Sequence, residues 1–278
     1  MTGSHSSHSL TVGVLALQGA FIEHITLLRQ AAPALTAGYG VHFTFIEVRT
    51  PEQLDRCDAL ILPGGESTAI SLIAERCGLL EPLRNFVKWQ RRPTWGTCAG
   101  LILLAEEANK SKATGQELIG GLDVRVQRNY FGRQVESFEA ALQLPFLGPD
   151  PFHSVFIRAP VVENILASSA KDVTTEIVEK SAGESKAVRP SMPNRADTIS
   201  APQIKATSAP VEILGRLPGR AKAIKDKTST AEELGEEGDI VAVKQGNVFG
   251  TSFHPELTGD DRIHAWWLRE VIKSKQAT

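Results

Sequence analysis

Cys98 lies at the centre of Gly96-Thr97-Cys98-Ala99-Gly100, directly after Pro93-Thr94-Trp95. Small residues at 96, 99 and 100 suit a sharp strand-to-helix turn, where larger side chains would crowd, and G-x-C-x-G is the thiol version of the nucleophile elbow. Such a turn exposes the sulfur above the sheet edge, and the adjoining helix N-terminus favours thiolate. Taken alone, a cysteine is more often a small buried hydrophobe. Two further motifs favour the nucleophile. His254-Pro255-Glu256 follows a strand, and positions i and i+2 of an extended segment share a side, so the Glu256 carboxylate can orient the His254 imidazole as base. By itself H-x-E is a weak signal that often marks a turn. Leu62-Pro63-Gly64-Gly65-Glu66-Ser67-Thr68 places glycines after a buried strand, where the Gly65 N–H can stabilise an oxyanion together with the N–H of Ala99. A phosphate loop is the rival reading, but G-x-x-x-x-G-K-[ST] and its lysine are missing.

Elements of the right kind surround these motifs. Strand-like runs at Thr11–Leu17, Val41–Val48, Ala59–Leu62 and Thr94–Trp95 alternate with helical spacing at Phe21–Arg29, Ser67–Glu75 and Leu101–Glu107. That alternation predicts an α/β domain with a largely parallel sheet. After Gly121 the texture becomes strand-like, at 122–128, 134–142, 154–157, 211–214, 240–243 and 247–252, as expected for added antiparallel hairpins. A last amphipathic helix, capped by Asp260 or Asp261, carries Ile263, Trp266, Trp267 and Val271 on one face, with the tryptophans in the core.

The 278 residues are 42% hydrophobic with a net charge of −2, enough for a core and without the basic field that nucleic acid or anionic membrane would require. No window approaches a transmembrane span and Met1–Ser9 is polar, so a cytoplasmic protein with no membrane or nucleic-acid partner is expected. Cys57, Cys77 and Cys98 lack CxxC spacing and His pairs, which predicts free thiols and no metal site. Cys57 and Cys77 read as ordinary small residues, and His5, His8, His42, His153 and His264 as structural or solvent-exposed. No Phe, Tyr or Trp occurs from Ile157 through Val248, and 163–210 is rich in Ser, Ala, Thr, Lys, Glu and Pro. The expected organisation is a flexible stretch at 1–10 and one domain over 11–275. Disordered insertions at about 164–209 and about 219–237 would interrupt that domain.

The three motifs, in this order on this alternation, resemble class I (triad-type) glutamine amidotransferases. Val14–His24, Pro63–Thr68, Arg128–Gln134, Phe156–Pro160 and Val241–Pro255 are similar to the glutaminase subunits of pyridoxal 5′-phosphate synthases. The likeness covers about 11–162 and 211–273. It implies a flavodoxin-like three-layer fold and a Cys98–His254–Glu256 triad acting on L-glutamine. It further implies that Gly64, Gly65, Glu66, Arg128, Ile157 and Arg158 contact the substrate, and that Gln18 and His24 lie on the partner or activation face near the oxyanion region. An arginine for the α-carboxylate and a carboxylate for the α-amino group agree with that set. The resemblance also implies a (β/α)8-barrel synthase subunit as partner and no cofactor for this chain. Tyr130 departs from it, standing where a smaller residue such as Ser is expected, and so does the aromatic-free insertion. The rival functions are a glutaminase for another acceptor, such as imidazole-glycerol-phosphate synthase, a non-catalytic regulatory module, and a cysteine peptidase. The intact triad speaks against the regulatory module, and site residues suited to one amino acid speak against the peptidase.

Overall fold

Five segments line up in parallel, as strand runs do when helices cover both faces of a sheet. They are β1 (His8–Leu15), β2 (Val41–Val48), β3 (Ala59–Leu62), β4 (Thr94–Thr97) and β13 (Val248–Thr251), in the spatial order β13-β4-β3-β1-β2. Residues 8–110, 116–128, 137–166, 198–204, 207–218 and 238–277 are described by a computed structural model. Beyond β13 the sheet continues through β12 (Asp239–Gln245), β9 (Val161–Ile165), β6 (Leu122–Gln127), β5 (Ala105–Asn109) and β10 (Thr198–Ser200), with β11 (Glu212–Leu217) also paired to β12. β12 runs antiparallel to β13, β9 and β11, so the mixed half is built by hairpin-type pairing. A separate antiparallel pair, β7 (Ser137–Leu142) and β8 (Phe152–Ile157), packs on the sheet through Phe152 and Phe156.

The helices divide between two cores, giving three layers. α1 (Phe21–Tyr39) and α6 (Arg262–Gln276) enclose one apolar cluster with Trp95, Phe249 and Trp267. α3 (Ser67–Arg76), α4 (Leu80–Arg84) and α5 (Ala99–Leu104) enclose the other, with α2 (Pro51–Asp55) contributing Leu54. The predicted tryptophan face of the last helix is observed, with Trp267 buried and Trp266 packed beside it.

Three expectations need correction. The helix expected over Leu101–Glu107 ends at Leu104, and Ala105–Asn109 is strand β5. Extended backbone there lets Ala105 and Ala108 point into the core while Glu106 reaches Lys88 and Glu107 reaches Arg125. The flexible N-terminus cannot run to residue 10, because β1 begins at His8 and pairs from there with β2. The insertion expected over about 164–209 does not hold at its ends. Asn164 and Ile165 pair with β6, and Thr198–Ser200 returns to pair with β5. A sheet edge needs backbone donors and acceptors rather than apolar area, and polar anchors hold it: Arg125 Nη1 donates to Thr198 Oγ1 at 2.8 Å and Lys88 Nζ to the Pro202 carbonyl at 2.6 Å. Residues 167–197, the second expected insertion at 219–237, and Tyr130 lie outside the described residues. His264, expected to be structural or solvent-exposed, is fully buried on the inner face of α6.

Candidate functional site

β3, β4 and β13 are neighbours in register, so the loops leaving their C-terminal ends meet at one edge of the sheet. That edge holds the three motifs. Cys98 caps α5 from the position before it with φ 47° and ψ −100°, a conformation that costs a non-glycine residue about 1–3 kcal/mol. The turn is held by Cys98 N donating to the Thr251 carbonyl on β13 at 2.8 Å, and by close packing at Gly96 and Gly100. A Cβ at Gly96 would meet the Leu101 amide at 2.8 Å, and one at Gly100 would meet the Leu62 Cβ at 2.9 Å, so both positions need glycine for close approach.

His254 follows β13 and is fixed by its amide donating to the Val155 carbonyl of β8 at 2.8 Å. Its Nδ1 lies 2.7 Å from Glu256 Oε1, and both residues are buried. Burial alone would depress the imidazole. The Cys98 thiol and the Glu256 carboxylate outweigh it and hold His254 at about 10, so its charged form is favoured. Burial pushes the Glu256 carboxyl up, but His24 and His254 more than compensate and it rests below the usual range. The thiol, imidazole and carboxylate thus form one chain, in which the carboxylate stabilises an imidazolium that can shuttle protons.

The glycine loop closes over this group. A Cβ at Gly64 would stand 2.7 Å from His254 Nδ1, so only a residue without a side chain fits under the imidazole. Gln18 Oε1 accepts from the Glu66 amide at 2.8 Å, and the Ala20 amide donates to the Gly64 carbonyl at 3.3 Å, which stitches the turn after β1 to this loop. Gly65 lies in the loop beside the elbow and Ala99 is the first residue of α5. Amides in a helix's first turn have no intrahelical acceptor and can face an oxyanion.

The remaining expected residues fall into two groups. The carbonyl of Ile157 faces Cys98, with the thiol donating weakly at 3.9 Å, and Arg158 follows it exposed, with φ 45°. Glu66 caps α3, accepting from the Thr68 and Ala69 amides at 3.1 and 2.7 Å. Buried Arg128 donates to Thr68 Oγ1 at 3.2 Å and is electrostatically coupled to Glu66. Gln18 is partly exposed, as a residue near a partner face would be, whereas His24 does not reach the surface. Its imidazole is fully buried beneath the triad, because α1 turns it inward against Trp95 and α6. His24 Nδ1 lies 2.9 Å from His264 Nε2, and its Nε2 lies 3.2 Å from Thr97 Oγ1 and 3.4 Å from Glu256 Oε2. Sequence reasoning missed His264 and Thr97. His264 carried a signal, since it shares a helical stripe with Trp267, Leu268 and Val271.

Among the described residues no group of three or more His, Cys, Asp or Glu side chains is arranged to hold a metal ion, and no helix is long and apolar enough to cross a membrane.

Comparison with known proteins gives one consistent answer. The model of the SNO glutamine amidotransferase family matches residues 14–189 and 204–273. A pyridoxal 5′-phosphate synthase subunit PdxT from Herpetosiphon aurantiacus is 40% identical over 259 residues, covering 93% of this chain and 99% of that protein. Another protein of that name, from Thermococcus onnurineus, is 36% identical over 263 residues, covering 95% and 100%. A crystal structure of a glutamine amidotransferase superposes with a TM-score of 0.60 at 34% identity, covering 94% of this chain and 98% of that one.

Proposed function

The chain belongs to the SNO glutamine amidotransferase family, and from that premise we propose that it hydrolyses L-glutamine and delivers the ammonia to a pyridoxal 5′-phosphate synthase subunit for vitamin B6 biosynthesis. The observation that carries this reading is the buried 2.7 Å bond between the His254 imidazole and the Glu256 carboxylate, at the edge of the sheet where the Cys98 elbow lies.

The Cys98 thiolate attacks the side-chain carboxamide carbon of glutamine, and the amides of Gly65 and Ala99 donate to the oxyanion of the tetrahedral adduct. The imidazolium of His254 protonates the departing nitrogen, the carbon–nitrogen bond breaks, and ammonia leaves a γ-glutamyl thioester on Cys98. Water, deprotonated by His254, attacks the thioester carbonyl, and collapse releases glutamate and the thiolate. Glu256 keeps His254 in the tautomer and orientation that both steps use. At the far end of the substrate, Arg128 and Arg158 suit the α-carboxylate and Glu66 the α-amino group, with the Gly64 backbone and Ile157 lining the floor. Glu66 would bind substrate while its carboxylate also caps α3.

Free ammonia is protonated and lost in bulk water, so productive transfer calls for a sealed complex. The partner that fits is a (β/α)8-barrel synthase subunit, which meets the edge carrying Gln18. The reaction belongs in the cytoplasm and requires no cofactor on this chain.

The test is glutamate release by the purified chain with and without a barrel-type pyridoxal 5′-phosphate synthase subunit. Activity should depend on that subunit in preference to an imidazole-glycerol-phosphate synthase subunit, and Cys98→Ala should abolish it while partner binding persists. Full glutaminase activity in the alanine variant would refute the triad.

A further inference from the structure

Below the triad carboxylate lies a second buried pair of titratable groups to which the mechanism gives no task. Glu256 Oε1 is engaged by His254, whereas Oε2 is buried without a hydrogen-bond partner among the described residues and has His24 Nε2 nearby at 3.4 Å. His24 comes from α1, the Thr97 hydroxyl beside it from β4, and His264 from α6. The titratable groups facing this carboxylate are therefore His254 and His24, with Cys98 beyond the first and His264 beyond the second.

Both lower histidines are fully buried, and burial pushes each down to about 3, so neither carries charge at neutral pH. Each neutral imidazole then has one N–H to place. If His24 carried it on Nδ1, its Nε2 lone pair would face the carboxylate and His264 would hold a buried N–H at Nδ1, an atom with no partner among the described residues. If His24 carries it on Nε2, that N–H lies between Thr97 Oγ1 at 3.2 Å and Glu256 Oε2 at 3.4 Å, and Nδ1 accepts from His264 Nε2–H. Only an acceptor at His264 Nδ1 is then left over. An unpaired buried donor beside a repelled carboxylate costs more than one unpaired acceptor, so the second arrangement prevails.

We infer that His24 is a positioning residue for the triad. Its Nε2–H, set by His264, anchors the second oxygen of Glu256 and so fixes the rotation that presents the first oxygen to His254. The inference deepens the triad reading proposed above and rests on it. It also accounts for a histidine in the first turns of α1 that no partner could touch.

The test compares His24→Gln, whose amide N–H can occupy the Nε2 position, with His24→Leu, which has similar bulk and no donor. Both are assayed for glutaminase in the presence of the synthase subunit and for Cys98 alkylation by chloroacetamide across pH. Without the donor, Glu256 loses one group that favours its ionised form. The acid limb of both profiles should therefore move to higher pH by about one unit in the leucine variant. There kcat should fall on the order of 30-fold with KM little changed, while the glutamine variant stays within about threefold of wild type. Equal losses in both variants, or a leucine variant with wild-type kcat and acid limb, would overturn the inference. Should His24→Leu fail to fold, His264→Leu frees the His24 tautomer and should shift the same limb, and an unshifted limb overturns the inference equally. The alkylation profile needs no glutamine, so failure here with an inactive Cys98→Ala protein would remove the role of His24 and leave the triad standing.

Discussion

Replacing His264 with glutamine should make the protein less sensitive to acid. Burial lowers His264 from 6.5 to about 3, so between those values the unfolded chain binds a proton that the folded chain excludes. For a base depressed in this way stability rises with pH, and it is lost as pH falls below the unfolded value of 6.5. Going from about pH 7 to about pH 5, an unfolded histidine passes from roughly one quarter protonated to almost fully protonated, which costs the native state about 2 kcal/mol. His24 is depressed to the same extent and should cost a similar amount, so together the pair removes a large part of a typical domain stability of about 5–15 kcal/mol. Glutamine does not titrate and its amide can still donate to His24. Urea unfolding at the two pH values, followed by tryptophan fluorescence, measures the loss in each protein. His264→Gln should lose about 2 kcal/mol less than wild type, and the His24→Gln/His264→Gln double variant about 4 kcal/mol less. His254, whose charged form the fold favours, acts in the opposite direction but is present in every variant, so the difference removes it. Parallel losses in wild type and variants would show that these imidazoles do not stay neutral in the folded state.

Gly64→Ala should lower glutaminase turnover on the order of 100-fold, because its methyl would displace the His254 ring that now packs there, and kcat with the synthase subunit present checks this. Arg128→Ala should raise KM about 10- to 100-fold with a smaller change in kcat, since the lost contact is to the non-reacting end of glutamine, and a kcat loss at constant KM would place Arg128 in the chemistry. Lys88→Met should destabilise the protein by about 3 kcal/mol in urea unfolding. It strands the Glu106 carboxylate, which now lies 2.7 Å from the buried ammonium, and releases the Pro202 carbonyl.

The alternation of apolar strands with helices was plain in the sequence because the central parallel strands β3, β4 and β13 are short and buried on both faces. The elbow was legible for the same reason that it works: only small residues fit at 96 and 100. Two failures have a common origin. Ala105–Asn109 has the composition of a helix, and Thr198–Ser200 sits in a segment without aromatics. What makes strands of both is tertiary, namely the Lys88–Glu106 pair and the reach of Arg125 to Glu107, Glu163 and Thr198. Partners so distant in the chain leave no local periodicity. His24 was assigned to a surface through its neighbours in the motif, and its true depth depends on α6, more than 200 residues later in sequence.

Strand β8 makes one contact with the base and another with the nucleophile. The Val155 carbonyl receives the His254 amide and the Ile157 carbonyl faces the Cys98 thiol. Alternate carbonyls along a strand point the same way and are about 7 Å apart, so this short piece of backbone is a ruler laid across the two reacting groups. Its graduations are peptide units, which substitution of side chains cannot change. The ruler belongs to a two-stranded sheet outside the main one. A slip of the β7–β8 hairpin by one residue would turn those carbonyls to the opposite side and take both marks off scale at once.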